Sequence, residues 1–331
     1  MQKDKIKKEI IYWAKLLNQK NLVSARSGNI SYKLSEDKIL ITSHDCYLGD
    51  LKEEDILLIS KEGEILEGEK EITSEKKLHL DIYKEIEDAK VILHAHPPYT
   101  VAFFHYFDKL DIFSFEARFY LGNVKVILQE TPTVIDTKPV IEALKAVNIV
   151  VLKEHGVVSI GRDFREALSL IELLEEQSKI NLLIRSGFLK EEKEFFKDED
   201  NQKEVKTKYK LLSSEHIKRL VELVNNDRQT QELGEKYDLT CTLAIKNQDS
   251  KRTICFYYKK GKITKVDNNE YAEILIAGKE EILKKIFNQD LDPFVAATHR
   301  KIEIKGDLSK ISMWYQVLAR IFTIWKRAPV E

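Results

Sequence analysis

Short apolar runs alternate with amphipathic helical stretches along the first 185 residues, and this alternation most limits the folds open to the chain. Residues 4–20 put Ile6, Ile10, Ala14 and Leu17 on one helical face. Residues 30–34 and 39–42 read as short strands split by the turn signal Ser35-Glu36-Asp37, and residues 56–60 as a third. Thr73 or Ser74 can cap a helix running to about Ile86. Residues 91–96 form a strand closed by Pro97-Pro98, and a helix starts near Tyr99. Residues 124–128 and 149–152 are further strands, and 157–160 follow a turn at Gly156. Asp163 with Glu166 resembles a capping box that opens a long helix to about Arg185. Interleaved strands and helices make the class α/β or α+β.

The pattern breaks over residues 187–213, which are dense in Lys, Glu and Asp. That stretch reads as a charged linker between a domain at 1–186 and a smaller α+β domain at 214–331. In the second domain a helix is expected at 214–226 and strands at 239–245, 253–259, 263–266, 271–277 and 301–305. Helices follow at 279–287 and 309–326. The last carries Ile311, Trp314, Tyr315, Leu318, Ile321, Phe322 and Trp325 as one broad apolar stripe.

The 331 residues carry 54 Lys+Arg and 55 Asp+Glu, so bulk charge offers no grip on nucleic acid. Twelve glycines and six prolines are few, against a linker-rich or collagen-like chain. The three cysteines, Cys46, Cys241 and Cys255, are scattered and form no CxxC, which suits a reducing cytoplasm. No apolar run reaches the roughly 18–20 residues of a membrane span, and no apolar leader follows the basic first residues.

The sharpest chemical feature is His94-Ala95-His96 at the end of an apolar strand. Residues i and i+2 of a strand point to one side, so both imidazoles can share a metal. The pair alone is a weak signal and fits two hydrogen-bonded histidines beside a loop better. His155, in Lys153-Glu154-His155-Gly156 between two apolar runs, stands at another strand end and can complete three nitrogen ligands. Three protein ligands with an open position are the pattern of a catalytic zinc. Glu75, in Thr73-Ser74-Glu75, fits either a favourable charge at a helix start or a general acid/base. Gly28-Asn29 forms a small loop before a strand, an ordinary turn or an anion cradle.

Taken together, Ser27-Gly28-Asn29-Ile30-Ser31, Ile41-Thr42-Ser43, Thr73-Ser74-Glu75, His94-Ala95-His96-Pro97 and Glu154-His155-Gly156 resemble the class II aldolase/adducin family in order and spacing, over about 5–185. The resemblance implies a three-layer α/β/α domain and a homotetramer. It implies one Zn2+ per subunit on His94, His96 and His155, with Glu75 moving a proton. Gly28, Asn29, Ser43, Thr73 and Ser74 would line the pocket for a substrate phosphate. The adducin branch keeps the fold without the metal, and the three histidines here favour an enzyme. The expected activity is that of a zinc-dependent aldolase cleaving a hydroxyketone sugar or sugar phosphate through a metal-stabilised enediolate. Epimerase or decarboxylase chemistry on the same scaffold, or a non-enzymatic lipid- or protein-binding scaffold, are the alternatives.

The sequence departs from the family in two places. His44-Asp45 stand where a small residue and a glycine are usual, and a carboxylate opposes phosphate unless it turns away or pairs with His44. The tyrosine some sugar-phosphate aldolases use is not evident near Glu116, and Tyr120 is not assigned to it. His79, one turn from Glu75, reads as a supporting hydrogen-bonder. His105, His216 and His299 read as surface or partly buried residues without a role. Residues 215–327 resemble the sterol carrier protein 2-like fold more loosely, through Tyr271-Ala272-Glu273-Ile274-Leu275-Ile276-Ala277-Gly278 and Lys301-Ile302-Glu303-Ile304-Lys305-Gly306-Asp307. That resemblance leaves lipid binding open beside an ordinary packed core.

Overall fold

The computed structural model describes residues 2–129, 131, 133–186, 207–288 and 290–331. The chain divides into two compact units, Met1–Glu192 and Lys193–Glu331.

In the first unit α1 (Gln2–Gln19) leads into the hairpin β1 (Asn29–Ser35) and β2 (Lys38–Thr42), then β3 (Ile56–Ser60) and the short β4 (Ile65–Glu67). Next come α2 (Lys76–Glu85), β5 (Val91–Ala95), α3 (Pro98–Tyr106) and α4 (Phe115–Tyr120). The unit closes with β6 (Lys125–Ile127), α5 (Lys138–Leu144), β7 (Ile149–Leu152), β8 (Gly156–Gly161) and α6 (Phe164–Arg185). The eight strands form one sheet in the order β4-β3-β2-β1-β5-β8-β7-β6. Every pairing is antiparallel except β6 with β7.

Alternation along the strands decides which helix covers which face. Ile30, Leu93, Ala95 and Val157 pack with Ile10, Leu17, Phe103 and Ile171 of α1, α3 and α6. Ser31 points the other way and meets His79 of α2, on which α5 also packs. Helices therefore cover both faces of the sheet. His94, one position from Leu93, lies on the α2 face.

In the second unit α7 (Ser214–Asn225) and α8 (Arg228–Lys236) precede β9 (Cys241–Asn247), β10 (Thr253–Lys259), β11 (Lys262–Asp267) and β12 (Ile274–Gly278). Then follow α9 (Glu280–Phe287), α10 (Pro293–Thr298), β13 (Ile302–Lys305), α11 (Leu308–Met313) and α12 (Tyr315–Trp325). The sheet order is β11-β10-β9-β12-β13, with β9 and β12 parallel. Phe256 on β10 meets the Trp325 ring at 5.2 Å, so the apolar stripe does cover the sheet.

Three expectations need correction. The single helix expected at 309–326 is broken at Trp314, whose φ/ψ of −88°/6° ends α11 and starts α12. The Trp314 Nε1–H donates to the Tyr237 carbonyl at 3.0 Å, which fixes the break. The linker expected at 187–213 does not extend to 213. Residues 187–206 lie outside the described residues, but Leu211 and Leu212 are buried and Tyr209 forms a parallel bridge with Val330. His216, expected to be without a role, is fully buried: its Nδ1 accepts the Leu212 N–H at 3.1 Å and its Nε2–H donates to the Ala328 carbonyl at 3.1 Å.

Among the described residues, no helix is long and apolar enough to cross a membrane. The three cysteines are buried and unpaired.

Candidate metal centre and substrate cavity

Strand β5 ends at Ala95, one residue short of the expected strand, because Pro97 and Pro98 cannot extend the ladder. Pro97 has no hydroxyl or amide with which to cap the helix that follows. Glu175 of α6 does so instead, accepting from the Tyr99 N–H at 2.9 Å and from the Thr100 N–H and hydroxyl at 2.8 Å. The His96 N–H donates to the Leu22 carbonyl at 2.9 Å. His96 is thus held at both sides.

His155 sits in the turn between β7 and β8, beside β5 in the sheet. Gly156 makes that closeness physically feasible: a Cβ there would stand 2.3 Å from the Ala95 carbonyl oxygen and 3.1 Å from the His96 ring. Gly28 serves a similar end. Its φ is +83°, and a Cβ would stand 2.9 Å from the His94 carbonyl oxygen.

The three imidazoles meet. His94 Nε2 lies 2.9 Å from His96 Nε2 and 3.2 Å from His155 Nε2, and one ring nitrogen from each lies within 4.8 Å of the others. The His94 Nδ1–H donates to the Val157 carbonyl at 3.0 Å, which leaves a lone pair on Nε2. That one lone pair faces two ring nitrogens. A hydrogen bond can satisfy one of them, whereas a cation can take a lone pair from all three. Burial holds the rings neutral, as ligation requires: His94 falls well below the ordinary imidazole value, His96 to about 4, and His155 is lowered too. Three neutral imidazoles suit zinc and related divalent metals.

All nine residues singled out from the sequence line one cavity of about 150 Å³: the three histidines, Glu75, Gly28, Asn29, Ser43, Thr73 and Ser74. Glu75 is not in the first turn of α2 but at its N-cap position, and its side chain caps nothing. The carboxylate is turned inward, 3% exposed, and takes the Val134 N–H at 3.2–3.3 Å. Burial pushes its pKa up. The Ser43 Oγ is buried without a hydrogen-bond partner.

Sequence reasoning missed Arg26 and Cys46, which also line the cavity. Asp45 has φ +61°, the backbone shape glycine adopts without strain, and its carboxylate pairs with Arg26 rather than His44. The feared carboxylate in the pocket is thereby neutralised by a cation nineteen residues earlier. A basic residue two positions before Gly28 was the available signal.

A layered α/β unit with three converging histidines beside a buried glutamate defines the class. Residues 8–182 match the Class II Aldolase and Adducin N-terminal domain, and the chain belongs to that family. It is similar to L-fuculose phosphate aldolase from Methanococcus vannielii, 32% identical over 181 residues, covering 54% of this chain and 97% of that one. It is 30% identical over 164 residues to 3-oxo-tetronate 4-phosphate decarboxylase from Haemophilus influenzae, covering 46% and 76%. A sugar-phosphate aldolase from Thermotoga maritima superposes with a TM-score of 0.53 at 26% identity, covering 58% of this chain and 99% of that one.

Proposed function

We propose that the first unit is a zinc-dependent aldolase that cleaves a carbon–carbon bond in a hydroxyketone bearing an oxyanion tail. The observation that carries this reading is the convergence of His94, His96 and His155 Nε2 atoms in a cavity that Glu75 also lines. A divalent metal held by these three rings would supply a Lewis acid that stabilises negative charge on substrate oxygens. Glu75 moves the proton. Its buried carboxyl, raised above the ordinary value, can hold a proton nearer neutral pH and return it to the carbon left electron-rich by cleavage. The Val134 N–H keeps it aimed. Gly28, Asn29, Ser43, Thr73 and Ser74 receive the oxyanion tail, with the Arg26 pair keeping the Asp45 carboxylate from opposing it. Exposed Tyr106, Phe113, Phe115, Leu128 and Ile135 suit contact with further copies, as a tetramer would require. The unpaired cysteines suit a reducing cytoplasm.

The test is metal analysis of purified protein followed by an aldol-cleavage screen over phosphorylated and free hydroxyketones. We expect stoichiometric zinc that His96→Ala abolishes, and cleavage that a chelator abolishes. A protein that takes up no divalent metal would overturn the reading. Release of carbon dioxide from a 3-oxo acid phosphate without aldol cleavage would move the assignment to decarboxylation, the chemistry of the Haemophilus relative.

A further inference from the structure

His79 is fully buried on α2, and both of its ring nitrogens are engaged. Nδ1 lies 2.6 Å from Ser31 Oγ, and Nε2 lies 2.6 Å from Asn29 Oδ1. Ser31 Oγ lies 2.8 Å from the Tyr83 hydroxyl, which lies 3.2 Å from the Lys90 carbonyl oxygen. Four side chains thus form one line from Tyr83 to Asn29, which borders the cavity. Asn29 is the cross-strand partner of His94, so the line ends beside a metal-ligand candidate.

Tyrosine, serine and a neutral imidazole each have one proton to give, so such a line has two self-consistent directions. From Tyr83, the hydroxyl donates to Ser31, Ser31 donates to His79 Nδ1, and His79 Nε2–H donates to Asn29 Oδ1. The Asn29 NH2 then faces the cavity. The reverse turns the Asn29 carbonyl to the cavity and requires Tyr83 to donate to Lys90. Asn29 Oδ1 can only accept and stands at His79 Nε2, so Nε2 carries the proton, Nδ1 accepts from Ser31, and Ser31 is left to accept from Tyr83. The Lys90 carbonyl, which also accepts the Lys33 N–H at 2.8 Å, lies a longer 3.2 Å from the Tyr83 oxygen. Burial keeps His79 neutral, with its pKa lowered to about 3, so the line keeps one direction at working pH.

We propose that His79, held in its Nε2–H tautomer by Tyr83 and Ser31, is a positioning residue that locks the Asn29 amide with its NH2 toward the cavity, making Asn29 a donor to the oxyanion tail of the substrate. The inference rests on the substrate cavity assigned above. The unpartnered Ser43 hydroxyl, 3% exposed in the same cavity, independently signals an absent hydrogen-bond partner.

The test has two readouts on zinc-loaded, full-length protein. Long-range 1H–15N correlation of histidine-labelled wild type should show His79 protonated at Nε2, and protonation at Nδ1 overturns the proposal. Calorimetry with inorganic phosphate should show binding weakened about ten- to a hundredfold in His79→Gln, the scale of one hydrogen bond to a charged group, with zinc content unchanged. Equal phosphate affinity in the variant, or no phosphate binding by wild type, also overturns it. The wild-type spectrum stands even if the variant does not fold. Zinc content and wild-type cleavage judge the aldolase reading separately, so either can fail alone.

Discussion

At the scale of single residues, Glu75 is the sharpest test of the chemistry. Glu75→Gln keeps the shape and removes the titrating group. We expect zinc retained and cleavage slowed by about 10²–10⁴-fold, the usual worth of a positioned acid or base. Because burial raises its pKa, the limb of the pH–rate profile that reports Glu75 should sit above the value of an exposed glutamate and vanish in the variant. An unchanged rate would reduce Glu75 to a charge at a helix start. The histidines were legible because alternation along a strand aims His94 and His96 together and a turn glycine follows His155. The pairing of Arg26 with Asp45 was not, because it depends on a left-handed backbone at Asp45. Nor was the Val134 N–H, which reaches Glu75 from 59 residues away.

Among the elements, the β5–β8 ladder sets the spacing of the three imidazoles. Gly156→Ala would press a methyl group against the Ala95 carbonyl, which forces the two strands apart. We expect thermal stability to fall by about 1–3 kcal/mol, as for overpacked sites. Zinc affinity should fall about 10–100-fold, as when groups supporting metal ligands shift. Chelator competition and a melting curve check both, and unchanged zinc affinity would show that the ladder does not set the site. The long elements were readable: α1 and α6 run five turns or more, and the Asp163 carboxylate caps α6 by accepting the Glu166 N–H at 2.8 Å. The helices α4, α5, α8 and α10 and the strand β4 escaped. Each has nine residues or fewer, which gives a periodic pattern little length to declare itself, though the equally short α3 and α9 were read. The interleaving also hid the antiparallel pairing, since helices that alternate with strands need not be parallel crossovers.

For the molecule as a whole, the boundary between units decides what can be studied separately. Tyr209 and Leu212 belong to the packed second unit, so a fragment should begin by Thr207, not at 214. We expect residues 207–331 to unfold cooperatively, with a pH dependence set partly by His216. Protonation of its Nδ1 would remove the acceptor of the Leu212 N–H. The unfolded imidazole takes up a proton near pH 6.5, the folded one only near about 4. The contribution is therefore whole above pH 6.5 and lost as pH falls toward 4, up to about 3 kcal/mol. Melting curves across that range, compared with His216→Gln, read it. A fragment that never folds would show that the units depend on each other.

The bridge at Tyr209 has a mechanical consequence. The Tyr209 N–H donates to the Pro329 carbonyl, and the Glu331 N–H donates to the Tyr209 carbonyl. Because the two segments run parallel, tension drawn through Thr207 and Glu331 slides them along each other and loads both bonds at once. A pull on the two ends therefore meets a shear clamp before it reaches any strand of the sheet. The second unit should resist stretching with one sharp rupture and not unzip bond by bond.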